Sequence, residues 1–276
     1  SAIAAFVEAL NAEAALRGSS ASFAFVDPTN DGGPIGTDAI INGLIYDTTA
    51  VDLVSSDFNV FTEASAAETF ALAEVLNPVV ASGDQLGDFQ RNRPVVAAEF
   101  EDKVSGETFT VASNHFKSKG DSGLVDLAEA AQAFLDGGGT GITQADIDAL
   151  RADPNFDQGD GQGFWNAVRA DAAGELTTWI ETGYNGTGTE NALLLGDFNA
   201  YAKEDPVQTI AEDPGYVDLI DSFIGQEDAF SFIFDGQQGT LDQALASDDI
   251  AGLVTGVTEW HINAQEPDLL NYNSRF

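Results

Sequence analysis

Residues 193–206 read LLLGDFNAYAKEDP. The apolar run 192–195 predicts a strand buried on both faces, ended by Gly196. Side chains two apart on an extended segment point the same way, so Asp197 and Asn199 share a side while Phe198 turns back to the core. A strand end that presents a carboxylate and an amide together suits a hard cation, which takes oxygen ligands. Taken alone, Asp-x-Asn after a strand also reads as a turn or a helix cap.

Two other stretches show the same spacing. SNHFKSKG (113–120) aligns His115, Lys117 and Lys119 if the strand stays extended, and QRNRPVV (90–96) aligns Arg91 with Arg93. Taken singly, the arginines could pair with the many acids and His115 could be a structural hydrogen-bonded histidine. Jointly they describe three strand ends offering cations, an imidazole and a carboxylate. Arg and Lys match phosphate oxygens, and a metal with a histidine can serve phosphoryl chemistry.

The distribution of scarce residues supports that reading. The chain has 276 residues, with ten Lys+Arg against 46 Asp+Glu and a net charge of −36. Five of the ten basic residues fall between 91 and 119. Charged residues are only 20% of the chain, so the imbalance reflects missing lysine more than added acid. Such a surface repels itself unless salt screens it. A secreted, extracellular protein from a saline, halophilic setting is expected, and an acidic cytoplasmic protein is the alternative. Absence of cysteine excludes disulfides and thiolate metal sites. No apolar run reaches the ~20 residues that span a bilayer. No signal peptide is read at the start, and Ser1 in place of Met points to processing or a fragment.

Helices are predicted over 2–15, 123–135, 143–151 (from a Thr143/Asp146 capping box) and 164–181. Strands are predicted over 22–26, 38–46, 95–101, 108–113, 191–196, 216–220, 230–234, 241–245 and 257–262. The stretch 55–90 is ambiguous and 153–163 is a polar loop. The mixture predicts an α+β arrangement in one domain, 1–276, around a mostly antiparallel core.

The segments GTDAIINGLIYDTTAV (36–51), RNRPVVAAEF (91–100), SNHFKSKG (113–120), DQGDGQGFWNAVRADAAGELTTWI (157–180), LLLGDFNAYAKEDP (193–206), FSFIFDGQQGTLDQALAS (230–247) and TEWHINAQEPDLLNYN (258–273) together resemble the endonuclease/exonuclease/phosphatase superfamily, whose fold is that of pancreatic deoxyribonuclease. The closer resemblance is to secreted bacterial extracellular nucleases. It implies a four-layer α/β/β/α sandwich and a metal-dependent phosphodiester hydrolase degrading DNA, or RNA. It implies His115, Asp197, Asn199 and Asp242 as catalytic residues, with Asp197 and Asn199 holding Mg²⁺ (Ca²⁺ or Mn²⁺ as alternatives). Arg93, with Arg91 in reserve, and Asn114, Lys117, Lys119 and Arg169 are implied at substrate phosphates. His261 is first a structural residue. A monomer acting on nucleic acid is expected.

The chain departs from the family pattern at both ends: no strand with a metal-binding Glu precedes the first helix, and no Ser-Asp-His occurs. A fragment lacking its N- and C-terminal strands, weakly active or inactive, is the expectation. The alternatives are a phosphatase or phospholipid phosphodiesterase on the same scaffold, and a non-catalytic Ca²⁺-binding surface protein built around the DQGDGQG loop.

Overall fold

The computed structural model describes residues 1–29, 32–33, 35–80, 91–212, 215–234, 236–261 and 264–265, the side chains of 78–80 excepted. Its centre is a six-stranded sheet in the order β3 (Val51–Asn59), β4 (Val95–Asp102), β5 (Thr108–His115), β6 (Ala192–Asp197), β10 (Asp242–Ser247), β7 (Tyr216–Asp218). Every adjacent pair is antiparallel except β5 and β6. A parallel pair needs a long crossover. Here α3 (Leu124–Asp136), α4 (Gln144–Arg151) and α5 (Asn166–Thr182) supply it.

Strand β4 explains the layering. Its first four residues are all buried, so both of its faces are covered. Val95 and Ala97 join Phe116, Leu176, Leu194 and Val207 in a core beneath α5 and α6 (Asp205–Ala211). Val96, Ala98 and Phe100 face the other way, onto Val26, Leu44 and Tyr46. Those residues lie in or beside a two-stranded ribbon, β1 (Phe23–Phe25) with β2 (Ile45–Asp47). Helix α1 (Ala2–Leu16) closes that side, its Asn11 amide donating to the Phe23 carbonyl and accepting the Phe23 N–H. Helices, sheet, ribbon and helix form the α/β/β/α sandwich. Each fully buried Leu or Val stabilises it by about 1.5–3 kcal/mol.

A second apolar cluster joins α2 (Ala64–Val80), α3 and α4 around Trp165. The Thr143/Asp146 capping box starts α4 as expected.

Several expectations need correction. Residues 38–44 are irregular, and only the last part of the predicted 38–46 strand pairs, as β2. The ambiguous stretch resolves into β3 and α2, and its portion 81–90 lies outside the described residues. The predicted strand at 216–220 turns helical after Asp218, whose side chain accepts the Asp221 N–H and starts α7 (Leu219–Phe223). Of 230–234, only β8 (Phe232–Phe234) is strand, paired with β9 (Gln237–Gly239) in a separate hairpin. Residues 257–261 form no strand, and Ile262 is not described. Helix α8 (Asp248–Ala251) follows β10 directly. Among the described residues, no helix is long and apolar enough to cross a membrane.

Candidate active site

The strand order puts β5, β6 and β10 side by side. His115 is in register with Asp197, and Asp197 with Asp242. The three therefore form one row at the mouth of the sheet, with His115 Nε2 3.6 Å from Asp197 Oδ2.

The local sequence explains how Asp197 is presented. Gly196 has φ +133°, and a Cβ there would lie 2.1 Å from the Asn114 carbonyl oxygen. Only glycine lets β6 approach β5 this closely just before the carboxylate. Phe198 is fully buried against Phe116, ring centroids 4.7 Å apart, which anchors the turn from below. Asn199 then takes a left-handed conformation, φ +46°. Its N–H donates to Asp197 Oδ1 at 2.8 Å and its side-chain amide to the Phe116 carbonyl at 2.9 Å. Asn is among the residues that tolerate this conformation.

Burial pushes the Asp197 carboxyl up to about 6; the facing Asp242 carboxylate adds to this, against the Asn199 N–H and Arg93. Burial, with the Arg93 charge, pushes His115 down against the charges of Asp38 and Asp242, which favours its neutral imidazole form. Two carboxylates and an amide facing one another, one of them destabilised as an anion, fit a hard divalent ion. Mg²⁺ commonly uses one or two carboxylates and completes its shell with water and substrate phosphate. Among the described residues, no three His, Asp, Glu or Cys side chains come together as a full ligand set.

Beside the row lies a cavity of about 310 Å³ lined by Arg91, Arg93, Lys117, Ser118, Asp38 and neighbours of Asp38. Its frame is Glu63, a buried residue at φ +52°. The Glu63 carboxylate accepts the N–H groups of Arg91 and Asn92 and the Asn92 side-chain amide. Asn92 Oδ1 in turn accepts the Lys117 N–H at 2.9 Å. Trp165, fully buried at φ +61°, backs Arg91: the guanidinium sits 4.7 Å from its ring centre and 4.9 Å from that of Phe70. Backbone strain of about 1–3 kcal/mol per residue collects at functional sites. Among the described residues, three of the five non-glycine residues with positive φ, Glu63, Trp165 and Asn199, border this centre. Burial among Arg91, Arg169 and Arg93 lowers Lys117 to about 8.

The predicted residues separate into groups. His115, Asp197, Asn199 and Asp242 converge. Arg91, Arg93 and Lys117 share the cationic cavity. Lys119 departs from their row because β5 ends at His115. It pairs with the Glu204 carboxylate over the Tyr201 ring, lining the groove on the other side of Asp197. Two residues expected at phosphates are placed elsewhere. Arg169 is fully buried and donates to the carbonyls of Lys117, Phe164 and Gln162. Asn114 is turned into the sheet, donating to the carbonyls of Ala112 and Leu195. Neither Arg169 nor Asn114 lines the cavity, whereas Lys117 does, although its Nζ also donates to the Ser118 carbonyl and hydroxyl.

Asp38 is a site residue that strand prediction concealed. It pairs with Arg93 Nε at 3.0 Å, and its charge reaches His115. The Ile40 N–H, with Arg93, holds its carboxyl below the usual range. The only sequence signal was its place in GTDAI, between glycine and an apolar run. Outside this centre, His261 lies 3.6 Å from Glu259 and stacks on Phe230 with ring centres 3.7 Å apart, a packing role.

No family model and no curated protein sequence matches the chain. Solved structures do. The human Nocturnin catalytic domain with bound sulfate matches at 15% identity and TM-score 0.45, over 86% of this chain and 64% of that one. An endonuclease/exonuclease/phosphatase from Bacteroides vulgatus matches at 14% and 0.44, over 82% and 65%. The chain is similar to endonuclease/exonuclease/phosphatase proteins. D. rerio TDP2 complexed with single strand DNA product matches at 10% and 0.40, over 87% and 76%. The chain thus spans just under two thirds of the first two superfamily structures. At these values the likeness stays with the general fold, and the chemistry has to come from this chain's own residues.

Proposed function

We propose that the chain is the hydrolytic core of a metal-dependent phosphodiesterase, most specifically an extracellular bacterial nuclease acting on DNA or RNA. The observation that carries this reading is the row His115, Asp197, Asp242 opening beside a cavity with three cations. In this mechanism Arg93 and Lys117 bind non-bridging phosphate oxygens. The neutral His115 imidazole donates a hydrogen bond to the same phosphoryl group, where negative charge develops. Asp197, Asn199 and Asp242 would hold Mg²⁺, or Ca²⁺ or Mn²⁺. A bound ion polarises the phosphoryl oxygen and favours attack by water. Asp38 acts on Arg93 and fixes its direction.

A phosphomonoester is the second reading. The cationic cavity, about 310 Å³, is small and has room for a single terminal phosphate. The calcium-binding alternative has less support: Asp157 and Asp160 in DQGDGQG accept N–H groups of their own loop. Incubation with plasmid DNA, RNA, inositol phosphate and sphingomyelin, with and without Mg²⁺, separates the readings. Cleavage of none of them by this chain or by a longer version sinks the hydrolase reading.

The charge of −36 makes electrostatic attraction to nucleic acid purely local. Binding there relies on the cationic cavity while the rest of the surface repels. Cleavage is therefore expected to persist or rise between 0.1 and 1 M NaCl, where the Debye length falls from about 10 to about 3 Å. An ordinary basic nuclease loses affinity steeply over such a range. A steep loss here counts against a saline, extracellular role.

A pH dependence follows from Asp197. Its folded pKa is raised, so deprotonation begins to oppose folding above its unfolded value near 3.8 and does so fully above about 6. Apo stability contributed by this group falls as pH rises through that window. Mg²⁺ binds the deprotonated form, so its stabilisation should be large at pH 7.5 and small at pH 5. Thermal melts with 10 mM Mg²⁺ against chelator at the two pH values check this. An equal shift at both means Asp197 is not a ligand.

A further inference from the structure

The groove on the Lys119 side of Asp197 has a volume of about 1260 Å³ and runs from Asp197, Asn199 and Asp242 to Phe232 and Phe234 on β8. These two phenylalanines are i and i+2 on a strand and share a face. Their rings are stacked, 17° between planes and 6.4 Å between centres. They are 43% and 63% exposed, although a hairpin this short gains most from burying such rings.

The hairpin is held in place. A Cβ at Gly239 would lie 2.5 Å from the Tyr201 ring, so Tyr201 packs closely against β9 at a position only glycine leaves open. Ser231 Oγ accepts the N–H groups of Leu241 and Asp242, at 3.1 and 3.3 Å, tying the base of the hairpin to the catalytic carboxylate.

Charge divides the two sides of the centre. The groove's far wall carries Asp121, Asp126 and Asp157, and its lysine, Lys119, is neutralised by Glu204. That arm repels phosphates but accepts an uncharged aromatic ring. The cavity of Arg91, Arg93 and Lys117 does the reverse. We propose that Phe232 and Phe234 are a stacking platform for an unpaired nucleobase next to the scissile phosphate, while the adjoining backbone phosphate lies in the cationic cavity. The inference rests on the phosphodiesterase reading and narrows its substrate to single-stranded nucleic acid or frayed ends, because a paired base has no free face. Base–aromatic stacking tolerates any sequence, and loss of an aromatic platform lowers affinity about tenfold or more.

The test uses the full chain and the double variant F232A/F234A, checked for folding by circular dichroism and melting. Short oligonucleotides carrying 2-aminopurine are titrated in chelator and 1 M NaCl, so that quenching reports stacking without turnover. Wild type should quench the probe and bind it about tenfold more tightly than an abasic strand of equal length or a duplex. The double variant should lose that preference, and F232L/F234L, which keeps apolar bulk without a ring, should lose most of it. Equal binding of base-bearing and abasic strands, or an unchanged double variant, overturns the platform. So does a double variant that alters only self-association in sedimentation. Cleavage of single strands at equal rates by wild type and double variant removes the platform and leaves the hydrolase reading standing. Quenching without cleavage of any phosphoester does the opposite.

Discussion

Asp197→Asn will make the protein more stable in chelator at pH 7.5 while removing its response to Mg²⁺ and lowering cleavage by about 100-fold or more. The two effects have one cause. Folding buries the Asp197 carboxylate opposite Asp242, which pushes its pKa up to about 6. An anion held under such conditions costs folding free energy, and a neutral amide of the same shape removes that cost. Asn retains the acceptor for the Asn199 N–H, so the turn survives. It does not retain the charge that offsets a divalent ion. Removing a single group that stabilises developing charge typically costs 10²–10³-fold. Calorimetric Mg²⁺ titration, melts with and without the ion, and cleavage rates check the three parts. A variant that is less stable in chelator, or still binds Mg²⁺ with wild-type affinity, contradicts the assignment.

Arg169→Met will lower stability by about 3–5 kcal/mol, or roughly 10 °C in melting temperature. The side chain is fully buried and its guanidinium joins the carbonyls of Lys117, Phe164 and Gln162 at 2.8–3.2 Å. Methionine fills the space but leaves those acceptors unmet. Arg169 stays protonated at neutral pH even though burial lowers it to about 10. Its loss also withdraws a positive charge from beside Lys117. Urea unfolding measures the stability change. Among molecules that remain folded, KM should change far less than for substitution of Arg93. An unchanged midpoint with a raised KM would return Arg169 to the substrate.

The GDFN turn was readable because each residue has a local reason. Gly196 permits close approach, Phe198 anchors, and Asp197 and Asn199 share the period-two side of a strand. The β4–β5 pair, the α4 capping box and helices α1, α3 and α5 were readable for the same reason, since period and caps are local. Arg169 was misplaced because a lone cation in a polar motif looks the same in sequence whether its acceptors are phosphates or carbonyls. Lys119 was misplaced because the row through His115 assumed an extended strand, and β5 stops at His115. Asp38 was passed over because 38–46 was read as one strand, whereas 38–44 are irregular and only the tertiary packing places them. Phe232 and Phe234 read only as apolar strand residues, and exposure is not written in a pattern.

Short-range chemistry alone thus determined that a strand would end in an acid–amide pair, that cations were concentrated between 91 and 119, and that helices and strands would alternate in an α+β chain. The strand order determined the rest. Only the pairing of β5, β6 and β10 sets His115, Asp197 and Asp242 in one row, and only packing against Glu63 and Trp165 gathers Arg91, Arg93 and Lys117. Local sequence governs dihedral angles and which side chains share a face. Distances between residues far apart in the chain are set by which apolar faces meet, and that is a property of the whole core.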